Sequence, residues 1–155
     1  ALHIDAQSSK WLGGYYGLVY KTVIVDEKEW IPLQPTQMNF NQQKIHILMS
    51  KNNLVIDTET ISEQESFGFK VIDDNGDDVE ILSVNIDGLH SNRVTLLCSK
   101  VISYGYKVSY GHRASINRAD AFTGGSGNLR DTAGDFIKYN NKPMHNWCVI
   151  FEAEV

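Results

Sequence analysis

The sequence lacks the features that define several common classes of protein. No apolar run approaches the roughly 18–20 residues that cross a bilayer, so we expect a soluble protein without a membrane partner. Lys and Arg form no cluster, and a net charge of -5 with a pI near 5.5 argues against nucleic acid as a partner. Two cysteines, Cys98 and Cys148, are too few for a disulfide-stapled scaffold. We therefore expect buried free thiols rather than a disulfide.

Catalytic and metal-binding motifs are equally scarce. The chain has no Gly-x-Ser-x-Gly elbow of a serine hydrolase, and its five histidines show no paired spacing of the kind that zinc sites use. The acidic residues between 73 and 78 lack the spacing of an EF-hand loop, so they predict a solvated hairpin tip. We expect no cofactor and no metal.

The N-terminus does not have the pattern of a secretory signal. Residues 1–10 contain no charged region followed by an apolar stretch, which a signal peptide requires. The chain also begins at Ala1 instead of Met. We interpret it as a fragment or a processed chain.

What the sequence does contain is the pattern of a single globular domain. A helix is predicted over residues 1–20, with Asp5 or Ser8 as N-cap, and its glycines Gly13 and Gly14 are expected to let another backbone approach closely. An Asn-Gly pair at 75–76 predicts a hairpin. Short strands at this spacing predict an all-β fold, a jelly-roll-like β-sandwich with one N-terminal helix. The predicted strands cover residues 44–49, 67–72, 79–86, 93–99, 101–110 and 146–155.

Residues 111–145 form a long segment rich in Gly, Asn and Arg between two predicted strands. Its apolar residues follow neither a two-residue nor a 3.6-residue period, so no strand pair is predicted there. Loops of this length are usually functional, and planar donors such as Arg130 suit carboxylates or sugar hydroxyls. The alternative is a self-satisfied surface loop, in which Arg130 and Asp131 pair with local backbone and with each other.

Residues 2–15 and six short segments between residues 30 and 147 carry a resemblance to a known family. They are similar to bacteriophage and prophage carbohydrate esterases of the SGNH/GDSL hydrolase class, which carry a C-terminal β-sandwich. Residues 2–15 are similar to the end of an SGNH domain, where an Asp-x-x-His motif supplies the catalytic Asp and His before the final helix. The resemblance implies that His3 is a remnant of that motif, with the Asp one position before Ala1. The blocks that bear the nucleophilic Ser, the Gly and the Asn are absent, so this chain is not expected to be an enzyme.

The second part of the resemblance spans most of the chain. It concerns the accessory module that follows the esterase domain in sialate O-acetylesterase-like prophage proteins and related phage tail proteins. The resemblance implies that residues 1–22 are a helical remnant or linker from an upstream hydrolase domain and that residues 23–155 are the β-sandwich accessory domain. The matching segments are residues 30–36, 53–58, 67–69, 108–110, 127–131 and 146–147.

The loop and the resemblance together predict a noncatalytic carbohydrate-binding module, virion-associated or prophage-encoded. Its predicted partners are a bacterial or host glycan and the upstream hydrolase domain. The arginines would meet acidic or hydroxyl groups, the Asn and Asp would contact sugar hydroxyls or order the loop, and a ring would stack on the sugar. The predicted ligand-binding residues are Arg113, Arg118, Asn128, Arg130, Asp131, Tyr139 and Trp147.

Two other functions stay open on the sequence. Residues 146–155 carry apolar side chains on both faces of a predicted strand, which suits burial between chains. A structural module for oligomerisation or tail attachment, a possible homo-oligomer that binds no sugar, would use that strand. An independent esterase is the third hypothesis, and it would require this chain alone to deacetylate an acetyl ester.

Overall fold

The protein is described here by a computed structural model that covers residues 5–88, 91–112 and 127–155. Helix α1 spans Ala6–Tyr20 and continues in a π-helical turn, Lys21–Val25, across the predicted boundary at residue 22. The carboxylate of Asp5 accepts hydrogen bonds from the backbone N–H groups of Gln7 and Ser8. Asp5 is therefore the N-cap, because it satisfies donors that the first helical turn leaves unpaired. No helix within these ranges is long and apolar enough to span a membrane.

The rest of the described chain is mainly β-structure. Two short 3₁₀ turns, Glu65–Gly68 and Ala133–Asp135, interrupt it. The strands are β1 (Pro35–Asn41), β2 (Lys44–Met49), β3 (Val55–Ile56), β4 (Phe69–Ile72), β5 (Asp78–Val79), β6 (Ile81–Ile86), β7 (Arg93–Cys98), β8 (Lys107–Tyr110), β9 (Leu129–Arg130), β10 (Lys138–Tyr139), β11 (Lys142–Pro143) and β12 (Phe151–Glu154).

Eight of these strands make two antiparallel four-stranded sheets, ordered β1-β2-β7-β6 and β12-β8-β4-β5. Buried side chains of both sheets, such as Ile47 and Leu96 from one and Val71 and Val108 from the other, belong to one hydrophobic core. The predicted all-β sandwich with one N-terminal helix is confirmed. The strand order is more specific than the jelly-roll-like expectation. The sheet β1-β2-β7-β6 follows the A-B-E-D order of immunoglobulin-type sandwiches, and the sheet β12-β8-β4-β5 follows their G-F-C order with β5 added beside β4.

The predicted strand over residues 79–86 is divided between the two sheets. Val79 pairs with Val71 in one sheet, whereas the residues from Ile81 onward pair with β7 in the other. The chain changes sheets at the exposed Glu80. The hairpin before it is confirmed, with Gly76 at φ 87°, a backbone conformation that glycine adopts without strain.

The prediction that residues 111–145 contain no strand pair is wrong for the described part of that segment. Strands β10 and β11 pair as a hairpin, and Asn140 and Asn141 between them have φ values of 48° and 60°. Positive φ at both central residues is typical of the two-residue turns that match strand twist. The tight turn forms through asparagine, without the glycine that usually marks it.

The helix packs on the β10–β11 hairpin and the residue that follows it through one of its glycines. A Cβ on Gly14 would lie 3.0 Å from the Tyr139 ring and 3.3 Å from the methyl carbon of Met144, whereas a Cβ on Gly13 would meet nothing within 4 Å. The close approach expected at these glycines is therefore made by a side-chain ring at Gly14 and not by a backbone.

The two cysteines form no disulfide. Cys98 is buried, Cys148 is half-buried, and both are free thiols.

Candidate functional site

An ion pair joins two short strands beside the sandwich. Asp57 directly follows β3, Arg130 ends β9, and the two strands pair through Val55 with Arg130 and Ile56 with Leu129. Arg130 Nε lies 2.5 Å from Asp57 Oδ2, and the side chains are 16% and 3% exposed. Because the pair is largely buried, the loss of either partner would leave the other as an uncompensated charge with little access to water.

Asp57 is kept ionised by several donors. Burial alone would raise the pKa of its carboxyl, but hydrogen bonds from the backbone N–H of Thr60 and from Arg130 outweigh burial and lower the pKa to about 2. The other carboxylate oxygen accepts from the backbone N–H groups of Glu59 and Thr60 at 3.0 and 2.7 Å. Asp57 therefore fixes both Arg130 and the turn that follows β3.

The guanidinium of Arg130 extends this arrangement to His145. Its Nη1 donates to the backbone carbonyl of Asp131 at 2.9 Å and lies 3.4 Å from His145 Nδ1. The backbone N–H of Gly134 also donates to His145 Nδ1, at 3.1 Å. Since Nδ1 accepts, the neutral ring carries its proton on Nε2. Burial and the charge of Arg130 lower the pKa of His145, so the ring is neutral at pH 7.

Asp131 ties the turn that follows β9 to the segment around Asn146. Its Oδ1 accepts from the backbone N–H groups of Ala133 and Asn146, both at 3.0 Å, and its Oδ2 accepts from the Asn146 side-chain amide at 2.6 Å. Asp131 is 5% exposed. The segments around 131 and 146, which the sequence resemblance treats as separate motifs, thus form one structural unit.

Asn128, directly before β9 in the sequence, also joins separate segments of the chain by hydrogen bonds. It is fully buried, its side-chain oxygen accepts from the backbone N–H of Gln64 at 2.9 Å, and its amide donates to the carbonyl of Asp57 at 2.8 Å. Its backbone N–H donates to the carbonyl of Phe67. Phe67 and Ser66 have φ values of 54° and 44°, a strained conformation for residues with a side chain. Asn128 therefore holds a strained turn in place.

An aromatic groove lies next to this polar network, where helix α1, the segment 30–33 and the segment 145–147 meet. It has a volume of about 260 Å³. Three half-buried rings line it, those of Tyr15, Trp30 and Trp147. The remaining lining residues are Pro32, Leu33, His145 and Asn146.

Tyr15 joins the helix to the network behind the groove. Its hydroxyl donates to the backbone carbonyl of His145 at 2.7 Å. Burial and the charge of Asp131 raise the pKa of Tyr15 to about 12, so the donor stays protonated across the physiological range. The rings of Trp11 and Tyr15 pack edge to face, with ring centres 5.1 Å apart.

The structure brings together four of the predicted site residues, and it gives them different surroundings. Asn128 and Asp131 are buried, with side-chain atoms bonded to protein groups, and Arg130 has two of its three guanidinium nitrogens engaged by protein atoms. Trp147 lines the groove. Tyr139 lies on the β10–β11 hairpin, 39% exposed and against Gly14. His3, Arg113 and Arg118 lie outside the described residues.

Sequence reasoning gave no site role to four residues that shape this region, Tyr15, Trp30, Asp57 and His145. Asp57 and Trp30 fall within segments that carry the resemblance, yet nothing in the local pattern gives either a role. Asp57 meets Arg130 across 73 positions of sequence, and Trp30 stands in a segment without regular structure. Only one signal in the sequence pointed to Asp57. It is an acidic residue at the end of a strand, where it could pair with Arg130 on a neighbouring strand.

Comparisons with known proteins add a likeness of fold. No protein-family model matches the sequence, and no curated protein matches it. The fold is similar to the crystal structure of a carbohydrate acetylesterase from Xanthomonas citri, with a TM-score of 0.54 and 14% sequence identity. The match covers 92% of this chain and 27% of that chain. This chain therefore has the fold of a part of a much longer enzyme.

The Asp57–Arg130 pair is expected to dominate the stability of the region. Asp57→Ala should lower the free energy of unfolding by about 3–5 kcal/mol, because it leaves the guanidinium buried without its partner. Asp57→Asn keeps an oxygen for the Glu59 and Thr60 N–H groups, so it should cost less. Urea denaturation measures both. A suitable control is Lys70→Ala at the exposed Lys70–Asp78 pair, which should change stability little; equal losses at the two pairs would contradict the assignment.

Stability is also expected to fall on mild acidification because of His145. Its folded-state pKa lies below the unfolded value of about 6.5, so the unfolded chain binds the proton first. The stabilisation is fully present above about pH 6.5 and is lost as the pH falls toward the folded-state pKa. Asp57, Asp131 and Asp135 act to raise the pKa of His145 but do not reverse its direction.

Urea denaturation at a series of pH values from 7.5 to 5 tests this expectation. His145→Gln should flatten the dependence, since an amide oxygen can accept the Gly134 N–H without titrating. His46 also has a lowered pKa, from burial and from Arg93. His46→Gln is therefore the matched control, and it should remove only the part of the pH dependence that comes from His46. An unchanged slope in His145→Gln would show that the ring is not held neutral by the fold.

Proposed function

We propose that this chain is a noncatalytic carbohydrate-binding module. The observation that carries the proposal is the groove of about 260 Å³ lined by Tyr15, Trp30 and Trp147. Aromatic rings present flat apolar faces on which the C–H face of a sugar packs, and nearby donors and acceptors meet its hydroxyls. The volume is below the 300–1,000 Å³ or so of sites for drug-sized ligands, which suits one sugar ring.

The arrangement around the groove favours recognition over chemistry. Asp57 has a pKa of about 2 and Tyr15 one of about 12, so neither exchanges a proton near pH 7. The Nδ1 of His145 accepts from Gly134, which leaves that atom unavailable as a base. A fixed set of neutral and paired groups suits a surface that holds a ligand without altering it.

We further propose that the module belongs to a larger esterase. The fold matches 27% of a carbohydrate acetylesterase, and residues 2–15 resemble the end of an SGNH domain, with His3 as a remnant of its catalytic motif. In such a protein the upstream domain would carry the reaction and this module would keep the enzyme near its glycan. The assignment to a phage or prophage protein, and hence to a virion, rests on the sequence resemblance alone.

Removing the rings should weaken sugar binding. We expect Trp147→Ala and Trp30→Ala each to reduce the affinity for a bound glycan by at least about two- to tenfold, because an aromatic contact contributes roughly 0.5–1.5 kcal/mol beyond the area that it buries. A glycan array identifies the ligand, and titration calorimetry with that glycan measures the change.

Tyr104→Ala is the matched control for this experiment. Tyr104 is an aromatic residue outside the groove, 85% exposed, so its removal should leave the affinity unchanged. Circular dichroism establishes that each variant is folded. Binding that survives both tryptophan substitutions would show that the groove is not the sugar site, and a folded chain that binds no glycan would refute the proposed function.

A second candidate is a docking or assembly module without sugar binding. One observation favours it: several apolar side chains of α1 and its π-helical turn face outward, Tyr16 at 68% exposure and Ile24 at 57% among them. An exposed apolar patch commonly marks a protein interface. The last strand, by contrast, has Glu152 and Glu154 on its exposed face, and charges there discourage pairing between chains.

Sedimentation velocity over a range of concentrations separates the two candidates. A self-associating module should sediment as an oligomer that a Tyr16→Ser, Ile24→Ser variant dissociates, because the variant removes apolar area from the interface. A Leu82→Ser variant, at an exposed apolar residue of β6, controls for general loss of surface hydrophobicity. A monomer at every concentration would count against self-assembly as the role of this chain.

A further inference from the structure

The side chains that line the aromatic groove carry little charge. The lining residues are aromatic, aliphatic or amide side chains together with His145, whose Nδ1 accepts a hydrogen bond from the Gly134 backbone. A neutral imidazole fits that contact, since a protonated Nδ1 could not accept. No lining side chain in the described part of the chain therefore carries a charge at pH 7.

The charged groups that contact His145, Asn146 or Arg130 are mostly negative. The guanidinium of Arg130 is neutralised by Asp57, with Nε 2.5 Å from the carboxylate. Asp131 holds Asn146 through two hydrogen bonds, and an oxygen of Asp135 lies 4.0 Å from His145 Nε2. These groups are three carboxylates and one guanidinium, so their net charge is negative. The whole chain is also acidic, with a net charge of -5.

We propose that the groove selects uncharged sugars and rejects their uronic acid counterparts. A sugar carboxylate placed over the rings would face this negative field without a free cation among the described lining residues to pair with. It would also lose water from a charged group, which costs more than the desolvation of a hydroxyl. The rings bind the C–H face of either sugar equally well, so the discrimination arises from charge. This inference rests on the proposed function of the groove.

Matched pairs of glycosides test the inference. The probes are the methyl glycosides of glucose and glucuronic acid, of galactose and galacturonic acid, and of mannose and mannuronic acid, which differ within each pair only in the carboxylate. Each is titrated into the protein at about 50 and 500 mM salt, because the higher concentration screens exposed charges beyond a few ångströms. We expect at least one neutral glycoside to bind about tenfold or more tightly than its uronate, with a gap that narrows at high salt.

A charge-removing variant shows whether the gap has the stated cause. Asp135 is exposed, with 56% of its side chain accessible, so Asp135→Asn should leave the fold and neutral-sugar affinity unchanged while it raises affinity for the uronate. Asp78→Asn, at a β5 carboxylate with 72% side-chain exposure, is the control and should leave both affinities unchanged.

The outcomes distinguish this inference from the proposed function. A uronate that binds as tightly as its neutral partner, with binding lost in Trp147→Ala, would overturn the selectivity and leave the sugar site in place. A gap that neither salt nor Asp135→Asn alters would overturn the charge explanation. Binding of no member of any pair, in the array or in titration, would refute the proposed function and this inference with it.

Discussion

The buried ion pair between Asp57 and Arg130 is the interaction on which the rest of the region depends. It closes strands β3 and β9, it directs Arg130 Nη1 toward Asp131 and His145, and through Asp57 it fixes the turn at Thr60. The hydrophobic core takes side chains from both sheets and also includes Leu33 and Leu129 from outside them. The groove wall comes from chain segments outside those sheets, and these segments are held both by such buried apolar side chains and by the polar contacts.

The groove is formed where the helix and the segment 139–145 are joined at two points of different chemistry. Gly14 lets the Tyr139 ring approach within 3.0 Å of where a Cβ would stand, and the Tyr15 hydroxyl donates to the His145 carbonyl. The first contact sets the distance of the helix from that segment, and the second sets its rotation, since a hydrogen bond is directional. Tyr15 is thereby positioned as a wall facing Trp147 and Trp30.

Local patterns predicted the fold well and the site only in part. Strand β2 has the bounds predicted from its apolar alternation, and the hairpin at Gly76 follows from Asn-Gly, because both signals lie within a few residues. The change of sheet at Glu80 has no such signal, since residues on either side have equal strand propensity. The Asp57–Arg130 pair spans 73 positions, and pairing at that range is decided by packing of the whole domain. Composition identified Arg130 as a planar donor but could not tell an internal partner from a ligand.

That distinction bears on how a small module of this kind binds. Arg130 is bonded to Asp57 and Asp131 to Asn146. The charged hydrogen-bonding groups of the region therefore stabilise the fold. Under the proposed function, a sugar would gain its free energy mainly from ring contacts, and a groove of about 260 Å³ offers room for few of them. Single-site affinity would then be limited by that area. The proposed attachment to a larger glycan-processing protein would remove the limitation, because linked sites engage the same polymer at high effective concentration, so weak recognition by each groove would be sufficient.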